Sequence, residues 1–152
     1  MLATDSVALN PNPLVQALGK PADEFTRADI IRFVTEQSIP MLNLRYVGGD
    51  GRLKELNFAI QSVAHLDRIL TMGERVDGSS LFDVVDATSS DLYVVPQLRT
   101  AFLNPFTALP TLDIMCGFYD VEGNPLVSAP QQILRRAQEA LEAETGCRLE
   151  AL

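Results

Sequence analysis

Apolar residues recur along this chain with two different periods, and the switches between them mark its elements. Thr26-Arg27-Ala28-Asp29 has the spacing of a capping box, Phe25 stands where it can staple onto Ile30, and Ile30, Phe33 and Val34 share one face. A helix is therefore predicted from Thr26 to about Gln37, ended by Pro40. The period then falls to two. Leu42, Leu44 and Tyr46 alternate with Asn43 and Arg45, Gly48-Gly49-Asp50-Gly51 supplies a turn, and Leu56 and Phe58 alternate with Glu55 and Asn57, the pattern of a two-stranded hairpin. Val63, Leu66, Ile69 and Leu70 return to helical spacing over Ser62 to Met72, with Gly73 as a stop. Leu92 to Val95 and Leu112 to Tyr119 read as strands, whereas Pro96, Pro105 and Pro110 between them exclude a central strand and predict an irregular connection. Finally, Pro130 opens a helix whose Ile133, Leu134, Ala137, Ala140 and Leu141 form one stripe, and Gly146 closes it. An extended pattern resumes from Cys147 to Leu152.

Hairpin and helices follow one another without the regular alternation of a doubly wound sheet, so the class is α+β. Residues 1–25 contain Asn10-Pro11-Asn12-Pro13 and Pro21 and read as a flexible leader, within which Leu14, Val15 and Leu18 have the makings of a short docked turn. One domain is expected over residues 26–146, and residues 147–152 begin a linker or a further strand. With 152 residues and 47% hydrophobic content, one sizeable core is within reach.

Charge and cysteine usage narrow the setting. Twelve Lys and Arg face twenty Asp and Glu, a formal net charge of −8, and such a field repels nucleic-acid phosphates and anionic lipid. Cys116 and Cys147 form neither a CxxC nor a metal-type spacing and read as reduced thiols. The stretch from Met1 to Pro13 lacks the basic and apolar regions of a secretory signal, and the longest apolar runs fall far short of the roughly 20 residues of a membrane span. A cytoplasmic protein with no nucleic-acid or membrane partner is expected.

Most candidate chemistry reduces to structure. Gly48-Gly49-Asp50-Gly51 lies between two strands, whereas nucleotide loops join a strand to a helix. His65 is the sole histidine, lies in a predicted helix, and has no Cys or Ser partner at the spacing of a triad. Glu139, Glu142 and Glu144 share a helix with Arg135 and Arg136 and read as a solvated face rather than a metal site. Asp77-Gly78-Ser79-Ser80 is different, because it packs an anion, a flexible glycine and two hydroxyls into four residues. Alone, that tetrapeptide is a common acidic turn.

Its surroundings alter the reading. Arg75-Val76-Asp77-Gly78-Ser79-Ser80-Leu81, followed by Ser90-Asp91-Leu92 and Val94-Val95-Pro96, resembles the amino-terminal signature of the glutamine synthetases. Other segments agree in order: Asn43-Leu44-Arg45-Tyr46 before the glycine turn, Thr100-Ala101-Phe102-Leu103-Asn104-Pro105-Phe106, Pro110-Thr111-Leu112 through Cys116 to Tyr119-Asp120, then Gly123-Asn124-Pro125 and the helix from Pro130. The resemblance runs from about Arg27 to Gly146.

That resemblance implies a β-grasp unit, a small mixed sheet with packed helices, that serves an enzyme ligating ammonia to glutamate at the expense of ATP. It implies that Asp77 and Ser80 hold ammonium, that Gly78 and Ser79 shape their loop, and that the site is completed against the catalytic domain of an adjacent subunit in a ring. ATP and magnesium or manganese are expected on the catalytic domain, with no cofactor in this chain, which alone should be inactive. Phe82-Asp83-Val84-Val85 departs from the family pattern, where an aromatic or basic residue often follows the second serine. Two alternatives remain: a domain of a related ligase that joins glutamate to larger amines, for which the compact charge of Asp77 is a poor fit, and a freestanding β-grasp interaction module.

Overall fold

Six strands pair into one mixed sheet in the computed structural model, which describes residues 7–82 and 91–149. They are β1 (Met41–Val47), β2 (Leu53–Ala59), β3 (Glu74–Asp77), β4 (Asp91–Pro96), β5 (Phe102–Leu103) and β6 (Thr111–Tyr119). Their order is β2-β1-β6-β4-β3, and the long β6 holds the sheet together. One edge of β6 pairs in parallel with β1, Leu42 beside Leu112 and Leu44 beside Ile114. Its other edge takes β5 and then β4, both antiparallel. The helices are α1 (Pro13–Leu18), α2 (Arg27–Glu36), α3 (Val63–Met72) and α4 (Pro130–Thr145). This is the α+β, β-grasp-like architecture that the sequence predicts.

One face of the sheet carries the core. Leu42, Leu44, Leu112, Ile114, Cys116 and Phe118 are buried there, together with Ile30, Phe33 and Val34 of α2 and Leu66, Ile69 and Leu70 of α3. The boundaries of α2 follow from its capping box: Thr26 accepts from the Asp29 amide, and the Asp29 carboxylate accepts from the Thr26 amide. Ser62 caps α3 through the His65 amide, and Gly73 ends it.

On the opposite face, strand alternation places Asn43, Arg45 and Asp113, a row too polar for a core but too central for solvent. The row is bonded internally, with Asp113 Oδ1 left without a hydrogen-bond partner among the described residues. Asp113 is fully buried and accepts from Arg45 Nε and, at 3.0 Å, from Asn104 Nδ2. Arg45 also pairs with Glu55 at 3.0 Å, and Asn57 donates to Asn43 at 2.8 Å. Asn104 in turn accepts from the Phe106 amide at 2.9 Å, so the buried network fixes a turn whose tip holds Phe106 at 94% exposure.

Three regions differ from expectation. Residues 12–25, read as part of a flexible leader, are docked: Leu14 and Val15 of α1 are buried, and the Asn12 side chain donates to the Ala101 carbonyl at 2.8 Å. Burying two branched side chains outweighs the loop character that the prolines suggested, and residues 1–6 lie outside the described residues. β3 and β5 are additional strands, the latter within the connection predicted to be irregular. Helix α4 forms where expected, yet its stripe is not covered, with Ile133 and Leu134 about half exposed. Of the final segment, residues 150–152 lie outside the described residues.

Candidate functional site

The route to Asp77 begins at Gly73. Its φ of 72° and ψ of −166° suit glycine alone, and a Cβ there would stand 2.2 Å from the Val94 carbonyl oxygen. This close approach turns the chain out of α3 directly into β3, with no intervening loop. β3 then pairs with β4 in the register Arg75 to Tyr93, Val76 to Leu92 and Asp77 to Asp91. Arg75 Nη2 lies 2.7 Å from Asp91 Oδ1, and this bond raises the arginine pKa.

Asp77 closes the strand and caps a 3-10 turn over Gly78–Ser80. Its Oδ1 accepts from the Ser79 amide at 3.0 Å and from Ser79 Oγ at 2.7 Å. Ser80 Oγ donates to the Asp77 main-chain carbonyl at 2.9 Å, and the amides of Leu81 and Phe82 both reach the Gly78 carbonyl. Gly78 is buried, whereas Asp77 and Ser80 are exposed. Thus the two predicted ammonium-binding residues share one turn, but their side chains engage different groups: Ser79 ties down the carboxylate, and Ser80 braces the backbone.

Phe82, the next apolar residue, is buried and meets Phe118 edge to face, 4.8 Å between ring centroids. The remainder of the departure noted after Leu81, residues 83–85, lies outside the described residues. Reasoning from sequence missed Gly73 and Phe82 as supports of the site. Gly73 was legible only as a helix stop, and Phe82 only as an apolar residue beside an acidic turn.

The remaining candidates stay structural. The Gly48–Gly51 segment is a hairpin turn, closed by the Gly51 amide on the Gly48 carbonyl. His65 Nδ1 faces the Gln61 amide at the start of α3. Arg135 pairs with Glu139 on the exposed face of α4 at 2.9 Å. Among the described residues, no group of three or more His, Cys, Asp and Glu could hold a metal ion, and no helix is long and apolar enough to cross a membrane.

Residues 38–121, which include both strands of the site and its turn, match the family model described as the β-grasp domain of glutamine synthetase. The chain belongs to this family. It is 29% identical over 124 residues to the glutamine synthetase of Staphylococcus aureus strain Mu50, covering 80% of this chain and 27% of that protein. The Staphylococcus epidermidis glutamine synthetase is 28% identical over the same length. The chain thus spans about a quarter of these curated relatives. Among solved structures, the cryo-EM structure of Plasmodium falciparum glutamine synthetase superposes with a TM-score of 0.64 at 18% identity, over 79% of this chain and 23% of that one. Ligand-free GmaS superposes with 0.65 at 14% identity, over 77% of this chain and 27% of that one. These two likenesses show the fold.

Proposed function

We propose that this β-grasp domain completes the ammonium site of a glutamine synthetase, contributing Asp77 and Ser80 against the catalytic domain of a neighbouring subunit in the cytoplasm. One observation supports this most: an exposed carboxylate held by two bonds from Ser79, on a turn whose preceding strand follows a glycine that accepts no side chain and which leads into the buried Phe82. A carboxylate fixed at a domain surface is preorganised for a cation.

The chemistry asks for such a group. Ammonium carries a charge and four N–H donors, so a carboxylate with a nearby hydroxyl holds it by charge-assisted hydrogen bonds. Attack on an activated γ-carboxyl group requires the neutral amine, and Asp77 favours it by accepting a proton. Ser80 acts through its hydroxyl oxygen, which accepts an N–H of the bound ammonium while its own O–H donates to the Asp77 carbonyl. In a glutamine synthetase, ATP with magnesium or manganese supplies the activation of glutamate. In this reading those groups are held by the catalytic domain and not by this chain.

The test is steady-state kinetics of a glutamine synthetase carrying this domain. Asp77→Ala is expected to reduce kcat/KM for ammonium by about 100-fold or more, the scale of a lost proton acceptor, with ATP affinity unchanged. Unchanged ammonium kinetics would refute the assignment. A panel of alkyl amines run alongside decides between ammonium and larger acceptors.

A further inference from the structure

We infer that Phe82 is the positioning residue of the Asp77 turn, and that the distant Gly48–Gly51 hairpin turn acts on the site through it. This rests on the reading of that turn as the ammonium site. Two remote segments meet the Phe82 ring, and a third backs one of them. Phe118 of β6 meets Phe82 edge to face at 4.8 Å and 88°, and Tyr46 of β1 meets Phe118 at 5.1 Å and 83°. The other segment that meets Phe82 is the hairpin turn, where a Cβ on Gly49 would stand 3.6 Å from Phe82 Cδ1, so the backbone at Gly49 lies beside the ring.

That turn is rigid. The Gly48 amide bonds the Arg52 carbonyl at 2.9 Å, the Arg52 amide bonds Asp50 Oδ1 at 3.2 Å, and Lys54 pairs with Asp50 at 3.3 Å. The main chain of Phe82 is in turn part of the site, because its amide donates to the Gly78 carbonyl at 2.8 Å. Ring and amide belong to one residue, so a displaced ring pulls on the bond that closes the 3-10 turn beneath Asp77. Edge-to-face contacts are directional, and a ring between Phe118 and the backbone at Gly49 has contacts on two sides that oppose sliding. In this account the hairpin turn binds nothing itself and fixes where the Asp77 carboxylate points.

Backbone amide exchange on the isotopically labelled 152-residue chain tests this. In Phe82→Ala, protection of the Ser79, Leu81 and residue 82 amides is expected to fall at least about tenfold more than that of the β1–β6 ladder. Phe82→Leu should recover most of the difference. Gly49→Val removes no core side chain and serves if Phe82→Ala fails to fold: it should loosen the same three amides selectively, while Gly49→Ala, whose Cβ makes only ordinary contact, should not. Protection lost uniformly with the ladder, or unchanged in Gly49→Val, would overturn the inference. Exchange reports geometry alone, so a negative ammonium result with Asp77→Ala leaves this outcome readable, and the reverse holds too.

Discussion

Arg45→Met provides the sharpest test of the energetics, because Arg45 and Asp113 are unequal partners. Asp113 is completely buried, and Arg45 is its only ionic partner among the described residues, whereas Arg45 is 21% exposed and has a second partner in Glu55. Removing the arginine leaves a buried carboxylate with one neutral donor, Asn104, and its Oδ1 already lacks a hydrogen-bond partner. Breaking a buried pair from this side costs about 3–5 kcal/mol. Removing the carboxylate instead, in Asp113→Leu, leaves an arginine still paired and partly in water. Its cost is the orphaned Asn104 amide, about 1–3 kcal/mol. The double variant Arg45→Met/Asp113→Leu removes both charges and should stand about 1–3 kcal/mol below the parent, and above Arg45→Met alone. Urea unfolding followed by circular dichroism, with m unchanged across the series, gives these differences directly. At this chain length, each kcal/mol moves the thermal midpoint by about 2–4 °C. If Arg45→Met proves no more harmful than Asp113→Leu, or the double variant is the least stable of the three, the network does not hold the fold in the way described.

Gly73→Ala should lose at least about 2–3 kcal/mol in the same assay, since it combines a disfavoured φ with a clash against the Val94 carbonyl. Asp29 has its pKa lowered to about 2 by the hydrogen bonds from Lys20 and then Thr26. A carboxyl with a depressed native pKa stabilises the fold above its unfolded pKa of about 4 and loses that contribution as pH falls toward 2. Lys20→Met should therefore flatten the acid limb of a stability–pH curve between those values; an unchanged limb would discount the pair. Burial pushes the Cys116 thiol pKa upward, whereas Cys147 is exposed. Alkylation of the native chain should add a single adduct, at Cys147, by peptide mass spectrometry, and a second only in denaturant.

What was legible in the sequence is what local chemistry decides. The α2 capping box, the Ser62 cap and Gly73 stop of α3, and the alternation of β1 each depend on residues within a few positions of one another. β3 was not legible because Glu74-Arg75-Val76-Asp77 holds one apolar residue. It becomes a strand because β4 is there to pair with it and because Gly73 admits so close an approach. The docking of α1 was hidden in the same way, since Asn12 owes its partner to Ala101, 89 positions away. For the site, the tetrapeptide was readable and its supports were not, since edge-to-face contact between Phe82 and Phe118 has no signature at 36 positions' separation.

The register that carries Asp77 also sets a carboxylate against a carboxylate, Asp77 opposite Asp91. Like charges at facing positions cost a sheet up to about 1 kcal/mol, and strands usually avoid them. Here the cost is contained by place and by pairing: the pair ends the ribbon, both residues are exposed, and Arg75 draws the Asp91 charge to itself at 2.7 Å. A sequence chosen for stability alone would put a neutral or basic residue at one of the two positions. Local conflicts of this kind concentrate where function overrides folding, and this one coincides with the residue proposed above to receive ammonium. Arg75 then has a role beyond an exposed ion pair: at 2.7 Å from Asp91, it relieves the repulsion that the strand register sets against Asp77.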